Sequence, residues 1–445
     1  MLVSVSDAVR DASSDWLLTA GAQRLGNQRQ SWPLLTKSSK VINGAGKTYA
    51  ESYFDQVSPG AFVVEHLADY VELSSWGHVL DGWRYLSLAA TSTLQASRNK
   101  ALHLAYYAEL RAAMGILASS GIAVLNRKHF SITATGELRW FCGSTHTIAW
   151  EALTAWASSP SNAMIVIEAL GINVFAGISW LDACRATSTP EVIAAHWLKN
   201  WSFDLTQVID DRDARNEASY RPELSGFTFA PFISKDLDLI NYANRAALHS
   251  ELNGFTPVQL ALIADLCRAS ADFRFGSSEA REAKFWRETL RWLTTVHQLP
   301  HDDACNLTEY IRKSSENDAG KILRLTDTAR RDSHAVFARA FYLLQLASFI
   351  QLKHRDGINQ RASGGKVNWP EAVIQQFGLQ SHLWSKNNIP SDLSTIESDA
   401  EAASEQISEW KQKNPWSGFN LWKDEAVAMN DICRFERHFV AMASL

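Results

Sequence analysis

The chain has little cysteine and no pattern in what it has. Its 5 cysteines are odd in number, stand far apart at Cys142, Cys184, Cys267, Cys305 and Cys433, and never form a C-x-x-C. This excludes a disulfide framework and a zinc ribbon, and predicts a reducing, cytoplasmic setting. Positive charge is not in surplus either: charged residues make up 20% of the chain and the formal net charge is −5. A global basic field is therefore excluded, and any nucleic-acid contact has to be local. No run approaches about 18 uninterrupted apolar residues, so no membrane span is expected. The opening M-L-V-S-V-S-D-A-V-R-D lacks the basic start and apolar stretch of a secretory leader. No G-x-S-x-G occurs, so no nucleophile elbow supports a serine hydrolase. No repeat of fixed period is present.

What the chain does have is helical periodicity over 445 residues, a length that predicts two or three packed subdomains. Residues 1–59, broken by Pro33, Gly44, Gly46 and Pro59-Gly60, read as a lead-in with one early helix. Apolar spacing predicts three consecutive helices, over Val63–Leu73, Trp76–Leu94 and Ser97–Ser119, as a bundle core. A β-hairpin follows near residues 121–142, with Thr135-Gly136 at its turn and Arg127, Lys128, His129 and Arg139 on it. Helical spacing returns over Ile148–Trp156, Met164–Leu170, Pro190–Trp201, Val258–Arg274, Ala283–His297, Asp332–His354 and Leu421–Ala443. Thr189-Pro190 and Thr256-Pro257 supply cap and first-turn signals, and the stretch 361–369 reads as a linker. The fold class is thus mainly α: a helical bundle over 60–189 with a small inserted hairpin, then a larger helical region over 190–445. The 17 tryptophans, mostly beside small residues on helices, read as core anchors. Arg139-Trp140 alone offers the basic-aromatic neighbourhood of a base-stacking platform.

Several chemical patterns are incomplete. Gly44-Ala45-Gly46-Lys47-Thr48 has the end of a phosphate-binding loop, but Val41 stands where the first glycine belongs. H-Q-L-P-H-D-D-A-C gathers His297, His301, Asp302, Asp303 and Cys305, yet Pro300 keeps the two histidines off one helical face. A metal-dependent hydrolase built on His297, His301 and Asp302 is a third class of function that the residue types allow. D-D-R-D at 210–213 lacks the glycine and closing glutamate of a calcium loop. No cofactor and no metal are expected.

The sharpest pattern lies in A-S-R-N-K-A-L-H-L-A-Y-Y, residues 96–107. Ser97 predicts an N-cap with Arg98 in the first helical turn, and five residues on comes His103, ideally about 140° round the helix. Asn99, His103, Tyr107 and Arg111 then recur every four residues, one polar stripe on an otherwise apolar helix. Such a stripe needs a polar counterpart: the preceding helix with His78, Asp81 and Arg84, a second copy, or a ligand. Arg98-Asn99 with His103, as R-N-x-x-x-H in a helical bundle, resembles the motif of HEPN ribonucleases. The resemblance implies a dimer that cuts RNA without a metal, His103 transferring a proton and Arg98 stabilising the transition state, with Tyr107, Arg111, His78, Asp81 and Arg84 in support. Arg127, Lys128 and Arg139 would grip phosphate. It also implies a toxin or anti-phage effector. Arg139/His146 and Arg291/His297 fall in the same range of spacing, so context has to separate site from coincidence. The helix is similar, too, to that of the bacterial YaaC-like family, which implies no activity. The competing reading is a non-catalytic scaffold or subunit of a multi-protein complex, with His103 bonded to Asp81 or a carbonyl and the stripe setting helix register.

Overall fold

A computed structural model describes residues 2–26, 64–125, 128–170, 234–248, 256–275, 279–295, 298, 300–313, 316–326, 333–362, 393–414, 421 and 423–444. Among them are 15 helices and one three-stranded antiparallel sheet, so the chain is mainly α with a small β-hairpin. In order, the elements begin with α1 (Val5–Arg10), α2 (Asp15–Gly26), α3 (Val64–Leu94), α4 (Arg98–Ser119), β1 (Ile122–Ala123), β2 (Lys128–Ile132) and β3 (Leu138–Cys142). There follow α5 (Thr145–Ala157), α6 (Pro160–Ala169), α7 (Ser234–Leu248), α8 (Pro257–Phe275), α9 (Glu279–Thr295), α10 (His301–Lys313) and α11 (Asp318–Thr326). The last four are α12 (Ser333–Arg361), α13 (Leu393–Lys413), α14 (Ala426–Ile432) and α15 (Glu436–Ser444). The helix expected at 190–201, the linker beyond Ala362, the glycine loop at 44–48 and the acidic stretch at 210–213 lie outside the described residues.

The bundle core departs from three consecutive helices. The two expected over 63–94 are one, α3, running without a break through Ser74, Ser75 and Gly77. Both serines turn their hydroxyls onto the helix's own backbone, Ser74 to the Val71 carbonyl at 2.9 Å and Ser75 to that of Glu72 at 2.6 Å, so neither competes for another conformation. α3 and α4 pack closely. A Cβ on Gly115 would stand 2.7 Å from a methyl of Val79, a contact that only glycine avoids. The third member of the core is α12, from the far end of the chain. Trp83 of α3 donates its indole N–H to Ser348 at 2.9 Å, and Gln351 accepts from Ser75 at 3.2 Å. By length and composition α12 could cross a membrane, but 94% of its apolar window is buried inside the protein, as in the central helix of a globular core.

α3 turns into α4 through a Schellman motif. The Ser97 N–H bonds the Ser92 carbonyl and the Ala96 N–H that of Thr93, both at 2.9 Å, which places Ala96 at φ 57°. Ser97 occupies the N-cap position as expected, but its side chain makes no cap bond. Because an L-residue with a Cβ is strained by about 1–2 kcal/mol in this region and Ala96 is exposed, Ala96→Gly should raise stability by up to about 1 kcal/mol in urea unfolding.

The sheet carries the expected hairpin. β2 pairs β3 from Lys128↔Cys142 to Ile132↔Leu138, β1 extends it on the other side, and Gly136 at φ 82° closes the turn. The N-terminal segment holds two helices rather than one and binds the hairpin: Val3 N–H to Trp140 O at 2.9 Å, Ser13 N–H to Ile132 O at 2.8 Å, Ser131 hydroxyl to Ala8 O at 2.7 Å. Gly121, at φ 85°, lets Ser13 approach; a Cβ there would sit 2.4 Å from its carbonyl oxygen.

Farther on, Thr256 caps α8 as its sequence predicts, accepting from the Gln259 N–H at 3.2 Å while Gln259 accepts from the Thr256 N–H at 2.9 Å. The C-terminal helix expected over 421–443 is instead α14 and α15. Phe435 breaks it by turning fully into the core beside Phe337 and Phe341, at 5.9 and 6.4 Å between centroids, while its N–H bonds Ser87 at 2.9 Å. Trp76, Trp83, Trp150, Trp156 and Trp286 are buried, as core anchors should be. One charged pair lies among them: Glu109 of α4 and Arg339 of α12, 3.5 Å apart with side chains 3% exposed.

Candidate functional site

Two members of the polar stripe of α4, Tyr107 and Arg111, meet α3. Arg111 donates Nη1–H to His78 Nδ1 at 3.0 Å and pairs through Nη2 with Asp81 at 3.4 Å, while Tyr107 stacks on Tyr85 at 5.5 Å. Since a guanidinium has no acceptor, His78 must present a bare Nδ1; burial first and the Arg111 charge second push its pKa down to about 3. His78 is thus a fixed neutral acceptor and no proton carrier. Asp81 takes Arg111 rather than His103, and Arg84, expected in the same group, is exposed.

Arg98 is exposed on the first turn of α4 and Asn99 is half-buried, whereas His103, half-buried one turn above Tyr107, packs on its ring at 5.0 Å. Of the hairpin cations, Arg127 lies outside the described residues and Lys128 opens β2. Arg139 is engaged by Glu137 at 3.0 Å and Asp11 at 3.8 Å, which tie it to the N-terminal segment. Trp140 leans on Phe130 at 5.3 Å.

Beside the stripe opens a cleft of about 730 Å³, lined on one side by Tyr107, Leu110, Arg111 and Met114 of α4 and on the other by residues 143–146 at the start of α5. The spacing 107, 110, 111, 114 is one helical face. Ser144 caps α5, accepting from the Thr147 N–H at 3.3 Å, so the positive end of that helix meets the cleft next to Arg111. The Thr145 hydroxyl bonds Leu125 O at 2.9 Å. Buried His129 joins both margins of the hairpin, accepting from the Leu125 N–H and bonding Gly143 O through Nε2, each at 3.1 Å. Its pKa is lowered by burial, against the Gly143 bond, and it serves as a neutral bracket under the cleft.

The cleft also brings in His146. Its ring lies 6.0 Å from Tyr107 and 5.8 Å from Tyr106, whose hydroxyl meets His146 Nδ1 at 3.1 Å and receives the Trp150 N–H at 3.4 Å. A phenol can donate or accept, so Tyr106 can meet Nδ1 of His146 as either partner. Two imidazoles, His103 and His146, therefore flank one tyrosine ring; Tyr107, His146 and Arg111 line the cleft, and His103 packs on Tyr107 beside it. The sequence marks His146 by its spacing from Arg139 and its place in the first turn after Gly143-Ser144, and Tyr106 by nothing except its neighbour Tyr107.

Among the described residues no group of three or more histidine, cysteine or acidic side chains could hold a metal ion. In H-Q-L-P-H-D-D-A-C, α9 ends at Thr295 and α10 begins at His301, so Pro300 does interrupt the helix; His297 lies outside the described residues. His301 and Cys305 meet at 3.5 Å. The chain matches no known protein family, and neither curated proteins nor solved structures include a significant match.

Proposed function

We propose that the cleft between α4 and α5 cleaves RNA without a metal, in the manner that the resemblance to HEPN ribonucleases implies but with a different set of groups. The carrying observation is the pair of imidazoles, His103 and His146, on either side of Tyr107, with Tyr107, His146 and Arg111 lining the cleft. One imidazole takes the proton of the 2′-hydroxyl as its oxygen attacks phosphorus, and the other, as imidazolium, gives a proton to the departing 5′-oxygen. The products are a 2′,3′-cyclic phosphate and a 5′-hydroxyl. Arg111 and the N-terminus of α5 offset the charge that builds on the five-coordinate phosphorus, a part the sequence reading gave to Arg98. The roles of toxin or anti-phage effector and of homodimer rest on the resemblance alone.

The test is incubation of the purified chain with total RNA in EDTA, which should yield fragments ending in cyclic phosphate; intact RNA at high protein concentration overturns the reading. Tyr106→Phe keeps the ring and removes the hydroxyl behind His146. With one hydrogen bond contributing about 1 kcal/mol, cleavage should slow roughly five- to tenfold.

One observation favours the scaffold reading. Both groups that Arg111 engages belong to α3 of the same chain, a network that fixes the register of two helices. On that reading Arg111→Ala lowers the melting temperature and the wild type cuts nothing.

A further inference from the structure

We propose that His301 and Cys305 are half of a tetrahedral site for a zinc-class divalent ion, and that a second copy of this chain supplies the other half. The two side chains sit four residues apart at the start of α10, on one face of the helix, with Cys305 Sγ 3.5 Å from His301 Nε2. A tetrahedral ion with Zn–S of about 2.3 Å and Zn–N of about 2.05 Å holds its sulfur and nitrogen about 3.6 Å apart. The pair thus already has the bite that chelation requires. It also faces outward: His301 is exposed and Cys305 partly so, while Ala304 and Thr308 on the adjoining ridge are buried and anchor the helix.

No third ligand joins them from the described residues of the chain. A two-fold axis beside α10 doubles any surface pair, turning two ligands into two cysteines and two histidines. Each Cys305 releases its thiol proton to solvent on binding, so two thiolates balance the charge of the ion. Asp302 and Asp303, exposed in the first turn of α10, attract a cation and, with the site empty, set two such helix ends against each other by like charge. Pairing of the copies through this face therefore depends on the ion.

The experiment titrates Co²⁺ into the full metal-free chain kept under a phosphine reductant, reading thiolate-to-cobalt absorption and molecular mass by light scattering. The expected result is a charge-transfer band that saturates at one ion per two chains as the mass doubles. Cys305→Ser should abolish both signals, and His301→Gln should weaken binding roughly 100-fold by removing one arm of the chelate. Cys142→Ser, which alters the exposed cysteine of β3, should change neither. Absence of the band, a band that survives Cys305→Ser, saturation at one ion per chain, or a mass indifferent to Co²⁺ overturns the proposal. Circular dichroism confirms that the surface variants fold. RNA cleavage in EDTA is a separate measurement and its outcome does not bear on this site.

Discussion

Replacing His103 by alanine is expected to slow RNA cleavage in EDTA by roughly 10²- to 10⁴-fold, the usual contribution of one general acid or base. His146→Ala should cost about as much, and the double variant little more, because two groups acting on one proton inventory are lost as a unit. His103 is half-buried and rests on one face of Tyr107, so its removal should leave the melting temperature within a few degrees. Arg98→Ala is the discriminating control. Arg98 is exposed, and with Arg111 offsetting the charge on phosphorus its variant should cleave nearly as fast as wild type. If Arg98→Ala abolishes cleavage while His146→Ala spares it, the chemistry belongs to the R-N-x-x-x-H pair and Arg111 with His146 is structural. Loss of fold in His103→Ala, together with a wild type that never cuts, would give the cleft to the scaffold reading.

The second large effect is on stability. Arg339→Ala leaves Glu109 buried against α12 without its cation, a defect that typically costs about 3–5 kcal/mol, and urea unfolding should show a loss of that size. Glu109→Leu with Arg339→Met should restore most of it, since removing both charges leaves an apolar seam of similar volume. A single-variant loss under about 1 kcal/mol would mean that neighbouring groups already satisfy Glu109, and the pair would then matter little to the bundle.

Local signals were legible wherever a residue's own backbone chemistry decides the outcome. Thr135-Gly136 located the hairpin because the turn needs a residue at positive φ, and Thr256-Pro257 located α8 because cap and first turn are adjacent in sequence. The stripe Asn99-His103-Tyr107-Arg111 was legible from its four-residue recurrence, whereas its counterpart stayed open between the preceding helix, a second copy and a ligand. Distance along the chain hid the rest. Nothing local tells that Ser348 and Gln351 are the counterparts of Trp83 and Ser75, so α12 could not be foreseen as the third core helix. Phe435 looked like one more apolar position until its burial between Phe337 and Phe341 broke the helix in two. The cleft suffered in the same way. Periodicity along α4 sees one wall, and His146 stands on the other, brought there by the hairpin and the bracket of His129.

The N-terminal segment acquires a different meaning when the chain is considered in the order of its synthesis. Val3, Ala8 and Ser13 are made before their partners Trp140, Ser131 and Ile132, which follow more than a hundred residues later, and Asp15 waits for Arg361, which it meets at 2.7 Å. Contacts of such long range close slowly, after loop entropy has been overcome. α1 and α2 are therefore made well before the hairpin on which they dock, and the faces that meet it stay exposed until it emerges.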